Sequence, residues 1–97
     1  MRSILSLWRQ KPPAKRYAVL IADNLDVAFS YAAQRRWSAA PGGDRWFDER
    51  GRIVIYVGDV RRVYGLRIEV IYTSVLSWDR RIEAIYCEAL TRILRTP

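Results

Sequence analysis

A continuous apolar run, "YAVLIA" at residues 17–22, constrains the fold of this chain more than any other feature. A strand without polar alternation is buried on both faces, as in parallel sheets that are covered by helices. The run leads directly into "DNLDVAFSYAAQRRW", in which Asp23 or Asn24 is a candidate helix N-cap. A strand followed at once by a helix predicts an α/β unit with a parallel crossover.

The helix after this strand has one apolar face, which we expect to pack on the sheet. The residues of that face are Leu25, Ala28, Phe29, Ala32 and Ala33. Arg35 and Arg36 follow at its carboxyl end, where the helix dipole favours positive charge.

The remaining apolar segments predict two further buried strands and a second helix. The strands are "IVIYV" at 53–57 and "RIEVIYT" at 67–73, and a short strand is expected at 45–49 within the loop 38–52. Asp79 caps the last helix, whose apolar face comprises Ile82, Ile85, Tyr86, Ala89, Leu90 and Ile93. The pattern predicts an α/β fold with a small three- to four-stranded, at least partly parallel sheet and two main helices.

The direction of the third strand is open at this stage. The link at 58–66 is short for a parallel crossover and long for a tight hairpin, so strands 53–57 and 67–73 could run parallel or antiparallel. The alternative fold is therefore α+β with an antiparallel meander. Two helices cannot easily cover both faces of such a sheet, and an exposed face or edge favours a homodimer.

The net charge of +7 is concentrated near the start of the chain. Residues 1–16 contain five basic residues and no acid, namely Arg2, Arg9, Lys11, Lys15 and Arg16. Pro12 and Pro13 stop any helix and impose an extended link. We expect a basic N-terminal arm at 1–15 and a single α/β domain at 16–97. The arm either covers the core with Trp8 or docks on a partner.

A second group of basic residues surrounds a tyrosine near the third strand. The predicted contact residues are Arg61, Arg62, Tyr64 and Arg67. With Trp37 and Trp46 they would form a basic, aromatic surface that stacks bases and neutralises phosphates. The alternative is a solvated loop in which arginine stems pack over aromatic rings. The N-terminal arm would assist either binding role.

The composition excludes several catalytic designs. The chain has no histidine and a single cysteine, Cys87, so it lacks Ser–His and Cys–His pairs, a zinc site and an intramolecular disulfide. Asp23 and Asp59 would meet at the ends of neighbouring strands, where a nuclease would place acids, but capping and turn roles also explain them. We expect no catalytic residue, no metal ligand and no cofactor.

The order of elements nevertheless resembles a known family. The segments "YAVLIADNLDVAFSYAAQRR", "RIVIYVGDV" and "VYGLRIEVIYTS" resemble the central part of P-loop NTPases of the helicase or phage-terminase type. In that family a late strand ends in the metal-binding acid of the Walker B motif. Here Thr73 and Ser74 stand at that position, and residues 1–16 contain no glycine and no Walker A motif. The resemblance implies an NTPase-like core without its catalytic parts.

These observations favour a small, non-catalytic binding module. We expect a virus- or mobile-element-type regulator or inhibitor that occupies a host protein or nucleic-acid surface. The alternatives are a small toxin-like nuclease and a structural assembly subunit. With one cysteine, no signal peptide and no segment long enough to span a membrane, we expect a cytoplasmic location, in the host cell if the protein is virus-encoded.

Overall fold

The computed structural model describes residues 15–95, which form one mixed five-stranded sheet with two helices. The strands are β1 (Tyr17–Ala22), β2 (Ser38–Ala40), β3 (Arg45–Phe47), β4 (Ile53–Val57) and β5 (Ile68–Ser74). The helices are α1 (Leu25–Gln34) and α2 (Arg80–Arg95), and a 3₁₀ turn spans Val60–Val63. The strand order across the sheet is β2-β3-β4-β1-β5.

The α/β class with a partly parallel sheet is confirmed, and the strand count is corrected from three or four to five. β1 pairs in parallel with β4 and with β5, whereas β2, β3 and β4 form an antiparallel ladder. The strand missed was β2, which has only three residues and therefore no readable alternation. β3 is also three residues long and ends before the predicted 45–49 segment does.

β4 and β5 are not neighbours, which resolves the open question about their direction. β1 lies between them, and both run parallel to it. The link between β4 and β5 therefore crosses β1 from one side to the other, and it contains the 3₁₀ turn Val60–Val63. The alternative of an antiparallel meander through these two strands is therefore wrong.

β1 supplies side chains to both halves of the core. Val19 and Ile21 point towards α2, while Ala18, Leu20 and Ala22 point towards α1, and all five are fully buried. One helix therefore covers each face of the sheet. This arrangement explains why the run at 17–22 has no polar position.

The first helix buries less of its apolar face than its spacing predicts. Three of the five expected inner residues are exposed, namely Leu25, Phe29 and Ala33. Only Ala28 and Ala32 are buried, because Trp37 and Trp46 fill the space beside the helix. The Phe29 and Trp46 rings form a T-shaped pair with centroids 5.4 Å apart.

The carboxyl end of α1 turns the chain back into this core. Arg36 has a φ of 58°, the left-handed conformation that commonly follows a helix. The amide of Arg36 donates to the Ala33 carbonyl, and the amide of Trp37 donates to the Ala32 carbonyl, each at 3.0 Å. This Schellman geometry directs Trp37 under the helix and leaves the side chain of Arg36 exposed.

The last helix follows its predicted cap and most of its predicted face. The amide of Ile82 donates to Asp79 Oδ1 at 2.8 Å, and Ile82, Ile85 and Ala89 are buried. Leu90 is 38% exposed, so its predicted core position is wrong. It lies one residue, about 100° around the helix, beyond Ala89 and so outside the buried stripe. Neither described helix has the length and apolarity needed to span a membrane.

We expect Ile85→Ala to destabilise the protein by about 2–5 kcal/mol, because it removes a fully buried side chain and leaves a cavity. Leu90→Ala on the same helix should cost less than about 1 kcal/mol, because Leu90 is already partly in water. Chemical denaturation of the two variants measures the difference. Equal losses would mean that the orientation of α2 is wrong.

Candidate functional site

The basic residues of the described chain gather where the parallel strands begin. We call this end of the sheet the amino edge. It collects residues that precede β1, β4 and β5 and residues at the carboxyl ends of both helices, which run back towards it. The basic ones are Lys15, Arg16, Arg35, Arg36, Arg50, Arg52, Arg67, Arg92 and Arg95, and the acidic ones are Asp48, Glu49, Glu69 and Glu88. Nine bases and four acids give this edge a net charge of +5.

The opposite end, the carboxyl edge, is nearly neutral. Its five basic residues are Arg45, Arg61, Arg62, Arg80 and Arg81, and its six acids are Asp23, Asp26, Asp44, Asp59, Asp79 and Glu83. The resulting charge is −1, so the topology places the excess positive charge of residues 15–95 at one end. The N-terminal arm joins the domain at that same end, beside Lys15.

Contacts between the segments before the strands confirm that they meet. Arg16 donates to the carbonyl oxygen of Arg50 at 2.7 Å. Glu69 lies between two guanidinium groups, with one carboxylate oxygen 3.7 Å from Arg16 and from Arg52. Arg52 is also paired with Asp48, so the charges of these two arginines are balanced by two carboxylates.

A buried ion pair anchors the loop that carries this edge. The side chain of Asp48 is fully buried and lies 2.8 Å from the guanidinium of Arg52. It also accepts from the backbone amides of Arg50 and Arg52 and from the Tyr72 hydroxyl. Burial by itself would raise the pKa of Asp48, but these donors hold that pKa below its ordinary value. The ionised carboxylate thus fixes the backbone that presents Arg50.

An aromatic cluster beside this pair supports a second arginine. The Arg35 guanidinium lies 5.1–5.6 Å from the ring centroids of Tyr31, Trp37 and Tyr72. Glu49 accepts from Arg35 at 3.0 Å and from the Trp37 indole at 2.7 Å. Sequence reasoning missed this cluster, because its members come from α1, the loop after it and β5 and have no common local spacing. Its cation–π contacts fix Arg35 in place.

Two of the predicted contact arginines lie at the carboxyl edge and are paired with acids. Arg61 lies 2.9 Å from Asp59, and its hydrogen bonds lower the pKa of that carboxyl to about 2. Arg62 forms an ion pair with Asp44. Their charges are therefore locally compensated.

The other two predicted contact residues lie towards the amino edge. Arg67 is exposed immediately before β5. Tyr64 is 53% exposed, and the guanidinium of Arg92 lies 5.8 Å from its ring centroid. Arg67 therefore joins Lys15 and Arg16, two more of the predicted binding residues. The other predicted arm residues, Arg2, Arg9 and Lys11, lie outside the described residues.

The tryptophans expected on the same surface are in the core, which corrects that part of the prediction. Trp37 is 9% exposed and Trp46 is 4% exposed, both on the α1 side of the sheet. Trp37 is drawn inwards by the turn after α1, and β3 carries Trp46 under the helix. They are not available to stack on bases.

The carboxyl edge contains a small crevice between the ends of β1 and β5. Its volume is about 340 Å³, and Thr73 and Ser74 form part of its lining. Asp23 does not cap α1, a role that Asn24 performs by accepting from the Val27 amide at 2.9 Å. Instead, Asp23 accepts from the amide of Leu76 at 3.0 Å. Residues 15–95 contain no group of three or more potential metal ligands.

The lone cysteine, Cys87, is exposed on α2. Its Sγ lies 3.5 Å from a carboxylate oxygen of Glu83, one turn earlier.

No protein-family model, curated protein or solved structure matches this chain. The resemblance to P-loop NTPases stays a prediction from the sequence.

We expect Asp48→Ala to destabilise the protein by about 3 kcal/mol, since it leaves the largely buried guanidinium of Arg52 without its main partner. Asp26→Ala, on the exposed side of α1, should leave the stability nearly unchanged. Thermal and denaturant unfolding of both variants provide the comparison. A neutral Asp48→Ala would mean that this pair does not anchor the loop.

The same carboxylate predicts an acid dependence. Because its folded pKa is lowered, its stabilising contribution is complete above the unfolded pKa of about 3.9 and is lost as the pH falls through the folded pKa. In Asp48→Asn the fall in unfolding free energy below about pH 4 should be shallower than in the wild type. Parallel curves for the two proteins from pH 7 to pH 2 would contradict this assignment.

Proposed function

We propose that this protein is a small, non-catalytic binding module that holds the phosphate backbone of a nucleic acid on the amino edge of its sheet. The observation that carries the proposal is the +5 charge of that edge, set against −1 at the opposite end. Arg36, Arg50 and Arg67 are exposed there and form no ion pair within residues 15–95. Such arginines are free to contact a polyanion.

The composition of this edge suits phosphate better than a protein surface of mixed charge. Eight of its nine basic residues are arginines, whose planar guanidinium groups contact phosphate oxygens in pairs. Binding would release counterions from the nucleic acid, so affinity would depend steeply on salt and little on sequence. The basic arm, which enters beside Lys15, would extend the same surface.

The environment of the acids supports binding rather than cleavage. Asp23 and Asp59 follow neighbouring parallel strands, as a nuclease site would require. Asp59 is engaged by the guanidinium of Arg61, and Asp23 accepts from a backbone amide. Each acid thus has a local structural role. Such a module would act as a regulator or inhibitor by occupying the nucleic acid. We propose that it is of the type that viruses and mobile elements encode.

We also propose that a second copy of the chain pairs with β5. This seven-residue strand has β1 as its one partner within residues 15–95, and its sequence, IEVIYTS, contains a single charge. A long edge strand with few charges is a template for further pairing. The other edge, β2, is only three residues long.

For nucleic-acid binding, we expect affinity to fall steeply between about 50 and 200 mM salt. The triple variant Arg36→Gln/Arg50→Gln/Arg67→Gln should weaken binding at low salt by about tenfold or more and reduce the salt slope by roughly one unit per lost phosphate contact. Fluorescence anisotropy with labelled random duplex and single-stranded DNA measures both quantities.

The matched control is Arg61→Gln/Arg62→Gln/Arg80→Gln, which removes the same charge from the carboxyl edge. It should retain most of the affinity. Equal losses in the two triple variants would mean that net charge alone determines binding. No binding of the wild type even at low salt would overturn the proposal.

For pairing through β5, sedimentation should give a mass near twice the 11.4 kDa of one chain at micromolar concentration. Thr73→Lys places a charge on this edge and should shift the equilibrium to the monomer. Ser38→Lys, on the exposed edge strand β2, should leave the dimer intact. A monomeric wild type, or equal effects of the two variants, would contradict pairing through β5.

A further inference from the structure

The crevice at the carboxyl edge lies at a change of winding direction in the sheet. β1 and β5 are parallel neighbours, but the helix after β1 packs on one face and the helix after β5 packs on the other. The two chains therefore diverge at their carboxyl ends and leave a gap. Ligands of open α/β sheets bind in such gaps. The volume of about 340 Å³ is at the lower end of the range for small-molecule sites.

The lining of the crevice combines one charge, two hydroxyls and an aliphatic wall. Its six residues are Asp23, Val27, Thr73, Ser74, Val75 and Leu76. The side chain of Leu76 is almost entirely in water, at 98% exposure. An aliphatic group bound in the crevice would cover part of that surface, which is favourable at roughly 25 cal/mol per Å².

The carboxylate of Asp23 is held in place and has acceptor capacity left. Oδ2 accepts from the amide of Leu76 at 3.0 Å, which ties the turn after β1 to the loop after β5. Oδ1 has no hydrogen-bond donor among the described residues. The side chain of Asn24 already occupies the Val27 amide, so the start of α1 does not use Asp23 as its cap.

The charge around the crevice determines the sign of the ligand. Asp26 lies three residues after Asp23, in the first turn of α1, and the whole carboxyl edge has a net charge of −1. No arginine among residues 15–95 lines the crevice. An anionic ligand would be repelled, whereas a protonated amine would find a carboxylate oxygen that accepts charge-assisted hydrogen bonds.

We propose that this crevice binds a small molecule that carries a protonated primary amine on a short aliphatic body. The ammonium group donates to Asp23 Oδ1, and the hydroxyl oxygen of Ser74, which lies on the α1 face of β5, accepts another of its protons. The aliphatic body lies against Val27 and Leu76. This site is independent of the amino edge. It would bind a small molecule, whereas the sequence predicts a module without a cofactor.

The test is a titration of ¹⁵N-labelled protein, followed by amide chemical shifts, with n-butylammonium and with its neutral counterpart n-butanol. We expect n-butylammonium to shift the amides of Val27 and Leu76 in a saturable manner at millimolar concentration. n-Butanol, which has the same body without the charge, should bind at least about tenfold more weakly. Equal affinity of the two compounds, or no saturable shift, would overturn the proposal.

Two variants separate the charge from the apolar contact. Asp23→Asn retains an oxygen for the Leu76 amide but loses the charge, and it should weaken n-butylammonium binding by about tenfold or more. Leu76→Ala alters only an exposed side chain and should weaken both compounds by a similar, smaller factor. Asp26→Asn, outside the lining, is the matched charge control and should retain the affinity. If Asp26→Asn lowers the affinity for n-butylammonium as much as Asp23→Asn does, the general negative charge of this edge attracts the amine, and the proposed site is wrong.

Discussion

The burial of β1, whose residues 18–22 are fully buried between β4 and β5, determines the rest of this structure. Its side chains fill the core on both faces, so one helix must lie on each side of the sheet. Because both helices return towards the start of the strands, their carboxyl ends lie at the same edge as the segments before β1, β4 and β5. The charged residues lie at the ends of the strands and helices. This geometry therefore places a basic edge at one end of the sheet and the crevice with Asp23 at the other.

Local signals allowed the α/β class, β1, β4 and the cap of α2 to be predicted, since each depends on residues close in sequence. The strand order could not be predicted, because the link after β4 gives no sign that it crosses β1. Leu25 and Phe29 were misplaced because Trp37 and Trp46, which arrive from elsewhere in the chain, occupy the space beside α1. Helix periodicity identifies an apolar face, but it does not say how much of that face the rest of the fold will cover.

The candidate site was only partly visible in the sequence for the same reason. Arg67 and the residues before β1 were recognised, and the fold brings them together. Arg61 and Arg62 belong to the same basic run, but Asp59 and Asp44 compensate their charges at the other end of the sheet. Arg36 and Arg50 became candidates only when the strand directions were known. The carboxylate of Asp23 was noted as a possible acid of a nuclease site, and its hydrogen bond with the Leu76 amide gives it a different proposed role.

The most direct test of the proposed function is to map the contact surface of a short DNA duplex on the ¹⁵N-labelled protein at low salt. We predict that the amide shifts concentrate at the amino edge, at Arg36, Arg50 and Arg67. The amides of Arg61 and Arg80 at the opposite edge should remain nearly unchanged. Shifts centred on the carboxyl edge, or spread evenly over the surface, would contradict the claim that the topology of the sheet creates one binding edge.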